Sequence, residues 1–326
     1  MLRFLLLLIF SPLVWALTPM TEEDMSDATG QAFVAIDRST QGSVDYTKVS
    51  LGLEVSTLLD IGKLELGKYN RAGEEAGSAD ILIDNFALGH IDSNGNIVPF
   101  EIVDPFIELA FDRSNGREDL VGFRIGFGDS FGKLSGDIKY LTGNVDISLY
   151  GTGTYLASQM NCAWWDVVCG GAKLLVNTAW ASSEFNAQAE LVHGTGANRG
   201  QRDPVRAQYV GIPNGQSLNL PGGSSFSNFL LGIFKSDQCS LLSTQTCFPI
   251  GNYRTLDIGN PNNGQPSKGM FLSFQSKNVN WYDDGQATTA TKGAFMNIPN
   301  GSVYTSFPDA FQGIPRVRTR YVDPYF

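Results

Sequence analysis

Along much of the chain, apolar side chains recur at every second position. Val49, Leu51, Leu53 and Val55 alternate with Ser50, Gly52, Glu54 and Ser56, and Val121, Phe123, Ile125 and Phe127 alternate with Gly122, Arg124, Gly126 and Gly128. Ile107, Leu109 and Phe111 repeat the pattern, as do Val145, Ile147 and Leu149. A period of two sends successive side chains to opposite faces of an extended chain, so each run predicts a half-buried strand with one wet face. On this register Val49, Leu51, Leu53, Val55, Val121, Phe123, Ile125 and Phe127 face a core, while Ser50, Glu54 and Arg124 face water. A charge at Phe123 is then costly, and loss of Arg124 is nearly neutral. Asn94-Gly95, Asn115-Gly116 and Gly143-Asn144 supply turn signals between the runs. No helical period of ten residues intervenes, so the pattern predicts an all-β fold of antiparallel sheets, a sandwich or an elongated β-roll, and fits a βαβ fold poorly.

The echo between Leu134–Ile138 (LSGDI) and Leu141–Val145 (LTGNV) predicts two strands of a hairpin. One pair of copies falls short of the three or more repeats that a solenoid needs. From Tyr155 to Ala189 the alternation gives way to Ala, Asn, Gln and Trp, which predicts a partly helical excursion near 155–189. Its tryptophans, Trp164, Trp165 and Trp180, either cap the β core or touch lipid or a partner. Gly194 to Gly223 is loop-rich, with one strand expected at Arg206–Val210. Met270–Trp281 and Gly293–Ile298 predict further strands. The domain division expected is 1–16, 17–152 as an N-terminal β region, and 153–326 as a mixed, loop-rich β region packed against it. The terminal Tyr-Phe is a feature of outer-membrane barrels, but the last stretch lacks apolar alternation and carries Pro324 where a final strand would lie.

The beginning of the chain changes the expected compartment. Arg3 precedes an apolar run from Phe4 to Trp15, and Val14-Trp15-Ala16 places suitable residues for signal-peptidase cleavage after Ala16. The run is too short to span a hydrocarbon core of about 30 Å as a helix, and no later stretch reaches 18 apolar residues. Cleavage removes one of the 23 basic and none of the 33 acidic residues, so the exported chain is one charge more negative than the −10 of the full sequence. That balance disfavours nucleic acid, whose affinity rests on Lys and Arg. After the cut, Thr21 and Glu22-Glu23-Asp24 predict a short N-terminal helix ending at Gly30. In an oxidising compartment the four cysteines predict disulfides within the local pairs Cys162/Cys169 and Cys239/Cys247, because short loops close at low entropic cost. Four cysteines still allow three connectivities. Seven residues along a helix rise about 10.5 Å, beyond the reach of a disulfide, so a joined Cys162–Cys169 segment cannot be one straight helix. The cysteine spacing and the lack of nearby His fit zinc poorly.

Candidate chemistry is sparse. Gly128–Gly132 (GDSFG) has the nucleophile-elbow pattern, and Phe127–Ser130 is similar to the opening block of GDSL-type esterases. The elbow needs a helix after Ser130, and the residues that follow are strand-like. His193 sits in no matching motif, and His90 is the only other histidine. Asp92–Asn96 (DSNGN) spaces oxygen side chains as calcium loops do, but Gly95 stands fourth, where the EF-hand glycine is sixth, and position twelve is Val103. A turn at Asn94-Gly95 accounts for it better. The acid pairs Asp283-Asp284 and Glu74-Glu75 read as solvated turn positions. No catalytic residue, metal ligand or cofactor site is assigned, and no enzymatic activity is expected.

The stretches LTPMTEEDMSDATGQA, DILIDNFALGHI, DPFIELAFD and VGFRIGFGDSFGKLSGDI resemble a group of exported proteins of Gram-negative bacteria, some labelled FilE-type pilus-assembly proteins. The resemblance covers roughly residues 17–150, with an echo in GMFLSFQSKNVNW. It implies a role in the periplasm or at the cell surface among envelope proteins and carries no catalytic residues. The expectation is an exported envelope protein with a structural or surface role, in a pilus for instance. The alternative is a module binding lipid or another apolar ligand, which a continuous apolar groove would favour. A secreted serine hydrolase is the remote alternative and would require His193 beside Ser130.

Overall fold

The computed structural model describes residues 34–320 and 322; the signal segment and the helix expected after Thr21 lie outside the described residues. In chain order the strands begin with β1 (Val34–Gln41), β2 (Val44–Leu51), β3 (Glu54–Thr57), β4 (Leu59–Lys68), β5 (Ala79–Leu88), β6 (His90–Ile91), β7 (Ile97–Val98) and β8 (Phe100–Val103). They continue with β9 (Phe106–Asp112), β10 (Asp119–Gly126), β11 (Asp129–Leu141), β12 (Gly143–Thr152), β13 (Glu184–Val192), β14 (Tyr209–Gly211), β15 (Ser240–Leu241), β16 (Thr244–Gln245) and β17 (Cys247–Pro249). The last are β18 (Thr255–Ile258), β19 (Ser267–Lys268), β20 (Phe271–Gln275), β21 (Val279–Asp283), β22 (Gln286–Ala290) and β23 (Gly293–Ser306). Among the described residues, four short α-helices join them: α1 (Gly153–Gln159), α2 (Val167–Thr178), α3 (Ser225–Ile233) and α4 (Phe307–Gln312).

The all-β expectation holds. One ladder runs β1-β2-β9-β10-β20-β23-β12-β13-β14-β17, antiparallel except where β12 and β23 run parallel. The long strand β11 carries the second set. Its first residues pair with β8 and β19, and its later ones pair with β18 and, through two register shifts, with β5. The main core lies between the two sets, with Ile81 and Ile83 of β5, Leu134 and Ile138 of β11, and Val145, Ile147 and Leu149 of β12 among its buried members. Strands beyond residue 152 return into the ladder begun by those before it. The hairpin expected from LSGDI and LTGNV does not form: β11 and β12 are consecutive but take different partners, and Gly143-Asn144 lies at the start of β12. The helical excursion ends earlier than expected, because 184–192 is a strand whose inward positions Phe185, Ala187, Ala189 and Leu191 are too often Ala for the alternation to stand out. Likewise the strand expected at Arg206–Val210 is confined to β14, and Met270–Trp281 divides into β20 and β21.

Asp80, fully buried, pins the two sets together. Its Oδ1 accepts from Arg206 Nε at 3.0 Å and from Arg71 Nη1 at 3.3 Å, and its Oδ2 accepts from the Ala294 amide of β23 at 3.0 Å. Arg206 also donates to Ser78 Oγ at 2.8 Å and to the Tyr69 carbonyl at 2.9 Å. Backbones approach this carboxylate so closely that a Cβ on Gly293 would stand 2.0 Å from Oδ2.

The register expected of β10 is corrected. Arg124 is 0% exposed, whereas Phe123 and Ile125 are exposed, and so is Ile107 of β9 at 51%. Arg124 Nε donates to Glu108 at 2.5 Å, and Nη1 and Nη2 reach the two Asp283 carboxylate oxygens at 2.6 and 3.0 Å. The Phe106, Phe271 and Trp281 rings lie about the guanidinium, with centroids at 5.1, 5.0 and 5.2 Å. Asp283 is therefore an ion-pair partner, not a solvated turn residue. The cause is the β21–β22 hairpin, which turns through Asp284 and Gly285 at positive φ and lies over this face with Val279, Trp281 and Ala290 buried. The opposite face carries the apolar row Ile36, Val49, Ile107, Ile125, Leu272 and Met296 across adjacent strands. Met296 is 8% exposed and Ile36 63%: the row leaves the main core where the second set of strands stops covering it. Val121 is buried as expected, Val49, Leu51, Leu53, Val55 and Phe127 are half-buried, and Glu54 is exposed.

Two outcomes follow. Arg124→Met leaves Glu108 buried without its cation and should cost about 3–5 kcal/mol in denaturant unfolding, with part recovered on adding Glu108→Gln. Phe123→Asp, at a half-open site, should cost only about 1 kcal/mol. Second, burial and the neighbouring Glu190 carboxylate push the Asp146 carboxyl of β12 up to about 6. The fold therefore holds this proton more tightly than the unfolded chain does, and Asp146 costs stability as pH rises from about 4 through 6. Asp146→Asn should melt higher than wild type at pH 7.5, with the gap closing by pH 4.5.

Candidate functional site

The helical excursion forms an apolar protrusion. Thr152 caps α1, its Oγ1 accepting from the Tyr155 amide at 3.4 Å, and Gly153 is required because a Cβ there would stand 2.1 Å from the Trp180 carbonyl oxygen. Asp166 caps α2 by accepting from the Cys169 amide at 2.9 Å. The Cys162–Cys169 disulfide joins Cα atoms 5.5 Å apart, and Cys239–Cys247 joins Cα atoms 5.1 Å apart, both as the spacing predicts. The chain between Cys162 and Cys169 is accordingly a loop with α2 beginning only at Val167. Lys173 Nζ, donating to the Met160 carbonyl at 2.7 Å, fastens α2 to the end of α1.

Helix α2 faces inward with Cys169, Ala172 and Val176. Its outer side is largely apolar: Val167, Val168, Leu174 and Leu175 are exposed, Val167 at 82%, with Asn177 and Thr178 exposed at its last turn. Just before it, Trp164 is 90% exposed and meets the also exposed Trp165 edge-on, with ring centroids 5.4 Å apart. Phe229 and Ile233 of α3 add to the exposed apolar surface, and the α3 C-cap residue Phe234 packs against the Cys169–Ala172 cluster. Large apolar side chains gathered at a surface in this way mark a site of contact with a partner or a membrane. Between α2 and α3 lies a cleft of about 150 Å³ lined by Leu175, Val176, Trp180, Leu231 and Leu242, with a void of about 30 Å³ deeper under α1. Neither approaches the roughly 300–1,000 Å³ of a small-molecule pocket. The chemistry available here is burial of apolar area.

The other candidates are used locally. Ser130 is buried within β11, its hydroxyl donating to Met270 Sδ at 3.3 Å, and no helix follows it. His193 Nδ1 lies 3.1 Å from Asp203 Oδ2. Asp92 closes its own turn, accepting from the Asn96 amide at 2.8 Å, the Asn96 side chain at 3.1 Å and the Asn94 amide at 2.9 Å, which together hold its carboxyl below the usual range. Glu75 accepts from the Tyr140 hydroxyl at 2.7 Å. Among the described residues, no cluster of His, Cys, Asp or Glu is arranged to hold a metal ion, and no helix is long and apolar enough to cross a membrane. Sequence reasoning singled out the tryptophans but assigned nothing to Phe229 and Ile233, which follow the loop-rich stretch ending at Gly223.

Removing the first disulfide with Cys162→Ser and Cys169→Ser should lower unfolding stability by about 2–3 kcal/mol, the loop-closure contribution of a short ring. The tryptophan emission should change with it, since Trp164 and Trp165 sit inside that ring.

No protein-family model, no curated protein and no solved structure matches this chain.

Proposed function

We propose that the protein is an exported cell-envelope protein whose β scaffold docks on a lipid surface through Trp164, Trp165 and the outer sides of α2 and α3. The single observation behind this reading is a surface helix that exposes Val167, Val168, Leu174 and Leu175 and is preceded by two exposed tryptophans. Tryptophan favours the membrane–water boundary, where its ring is buried and its N–H stays wet. Burying this surface would contribute on the order of 5–10 kcal/mol, counted at about 1.5–3 kcal/mol for each fully buried large apolar side chain. The cleft is too small for a ligand of ordinary size, which favours lying on a membrane over carrying a lipid inside. The two disulfides and the apolar segment at the start of the chain support a compartment outside the cytoplasm.

A structural role in a surface assembly is the second reading. The observation that favours it is β1, exposed along all eight residues and paired on one side with β2 among the described residues. A long open edge is a template for strand addition, and the uncovered row Ile36, Ile107 and Ile125 adjoins it.

Flotation with phosphatidylethanolamine–phosphatidylglycerol vesicles tests the first reading. The disulfide-bonded chain should float, with its tryptophan emission shifted to the blue. Trp164→Ala with Trp165→Ala should weaken partitioning at least tenfold. Because the chain is net negative, added salt should strengthen binding by screening repulsion from the anionic lipid. Failure to float, or equal flotation of the double variant, overturns this reading. Concentration-dependent self-association that survives the double variant but is lost on Ile36→Lys favours the second.

A further inference from the structure

Away from the apolar protrusion, a groove of about 580 Å³ opens on the outward faces of β12, β13 and β23. Its floor is set by register. Tyr304, Ser148 and Gln188 form one cross-strand row, and Ser306, Tyr150 and Asn186 the next. Asn219 extends the second row, exchanging two backbone hydrogen bonds of 2.8 Å with Asn186, and so brings the loop carrying Gln216 and Ser217 up as a wall. The opposite wall is the turn bearing Asn260 and Asn262, where the Asn260 side chain accepts from the Asn262 amide at 3.0 Å. Asn300 closes one end and accepts from Gln188 Nε2 at 2.8 Å.

The chemistry of this lining is selective. Nearly half of it is Asn or Gln, two members are Tyr, and Glu184 is the charged one among them. With no Lys or Arg, it offers nothing to neutralise a phosphate or a uronate. Its many amides equally disfavour an acyl chain, which would leave them unpaired. Amide groups present a donor and an acceptor side by side, which matches vicinal hydroxyls that must both give and accept hydrogen bonds. The tyrosine rings, on adjacent parallel strands, offer flat faces for the C–H face of a pyranose ring. Asn186 Oδ1 is buried and has no hydrogen-bond partner, a polar atom that calls for a donor from outside the chain. Burial, with the Asp309 and Glu184 carboxylates beside it, pushes the Tyr150 phenol up, so it remains a neutral hydroxyl.

We propose that this groove binds a neutral oligosaccharide, about two or three pyranose units long, a length suited to a groove of this volume. The site is separate from the lipid-docking surface in residues and in chemistry, so either can fail without the other. Titration calorimetry of the disulfide-bonded chain against cellotriose, maltotriose and tri-N-acetylchitotriose, with trigalacturonate and inorganic phosphate as anionic probes, tests it. At least one neutral trisaccharide should bind with a Kd of 1 mM or tighter. Tyr304→Ala should weaken that binding at least tenfold, while Trp164→Ala leaves it unchanged. Asn219→Ala with Asn262→Ala, at exposed wall positions that the fold does not need, should weaken it comparably and serves if Tyr304→Ala melts early. No binding by any neutral trisaccharide, tighter binding of an anionic probe, or binding unmoved by the wall variants overturns the proposal.

Discussion

A carboxylate removed from water is tolerable only when cations and hydrogen-bond donors surround it, and Asp80 states the condition on which this fold rests. Two arginines and a backbone amide, drawn from segments up to 214 residues apart in sequence, converge on it. Because a buried charge without partners costs several kcal/mol, these segments dock together or not at all. The carboxylate couples β5, the loop before it, the Arg206 loop and the start of β23, which is the strand common to the two sets. Gly67 and Gly293 are glycines because a side chain at either position would occupy the place of this carboxylate.

Arg124 repeats the device under the β21–β22 hairpin, with Glu108 and Asp283 as counter-ions and three aromatic rings about the guanidinium. The rings shield the charge from water, which strengthens the ion pairs, and arginine tolerates such surroundings better than lysine because its planar group is weakly hydrated. One consequence is an inverted sheet. Its charged row is covered, and its apolar row extends beyond the core into solvent.

The molecule thus presents two unlike surfaces on one rigid β scaffold. The protrusion built on α2 offers mainly apolar area. The groove over β12, β13 and β23 offers amides, hydroxyls and tyrosine rings and almost no charge. A disulfide ring and helix caps fix the first surface, and strand register fixes the floor of the second, whose walls are loops.

The strand content, the disulfide pairs and the aromatic character of the 155–189 region were legible from the residues, because alternation, short cysteine spacing and clustered tryptophans are local properties. Alternation also shows that Phe123 and Arg124 point to opposite sides of a strand. Which side is covered is not a local property. It was decided by the β21–β22 hairpin, some 150 residues further on, which brings Trp281 and Asp283 over Arg124. The polar groove was hidden for a related reason. Asn186 and Gln188 alternate with alanines, too weak an apolar signal to mark a strand, and their neighbours Tyr304 and Asn219 come from distant segments. Sequence by itself determined the local elements and the paired cysteines. Tertiary structure decided which face of each strand meets water, because burial depends on what else in the chain arrives to cover it.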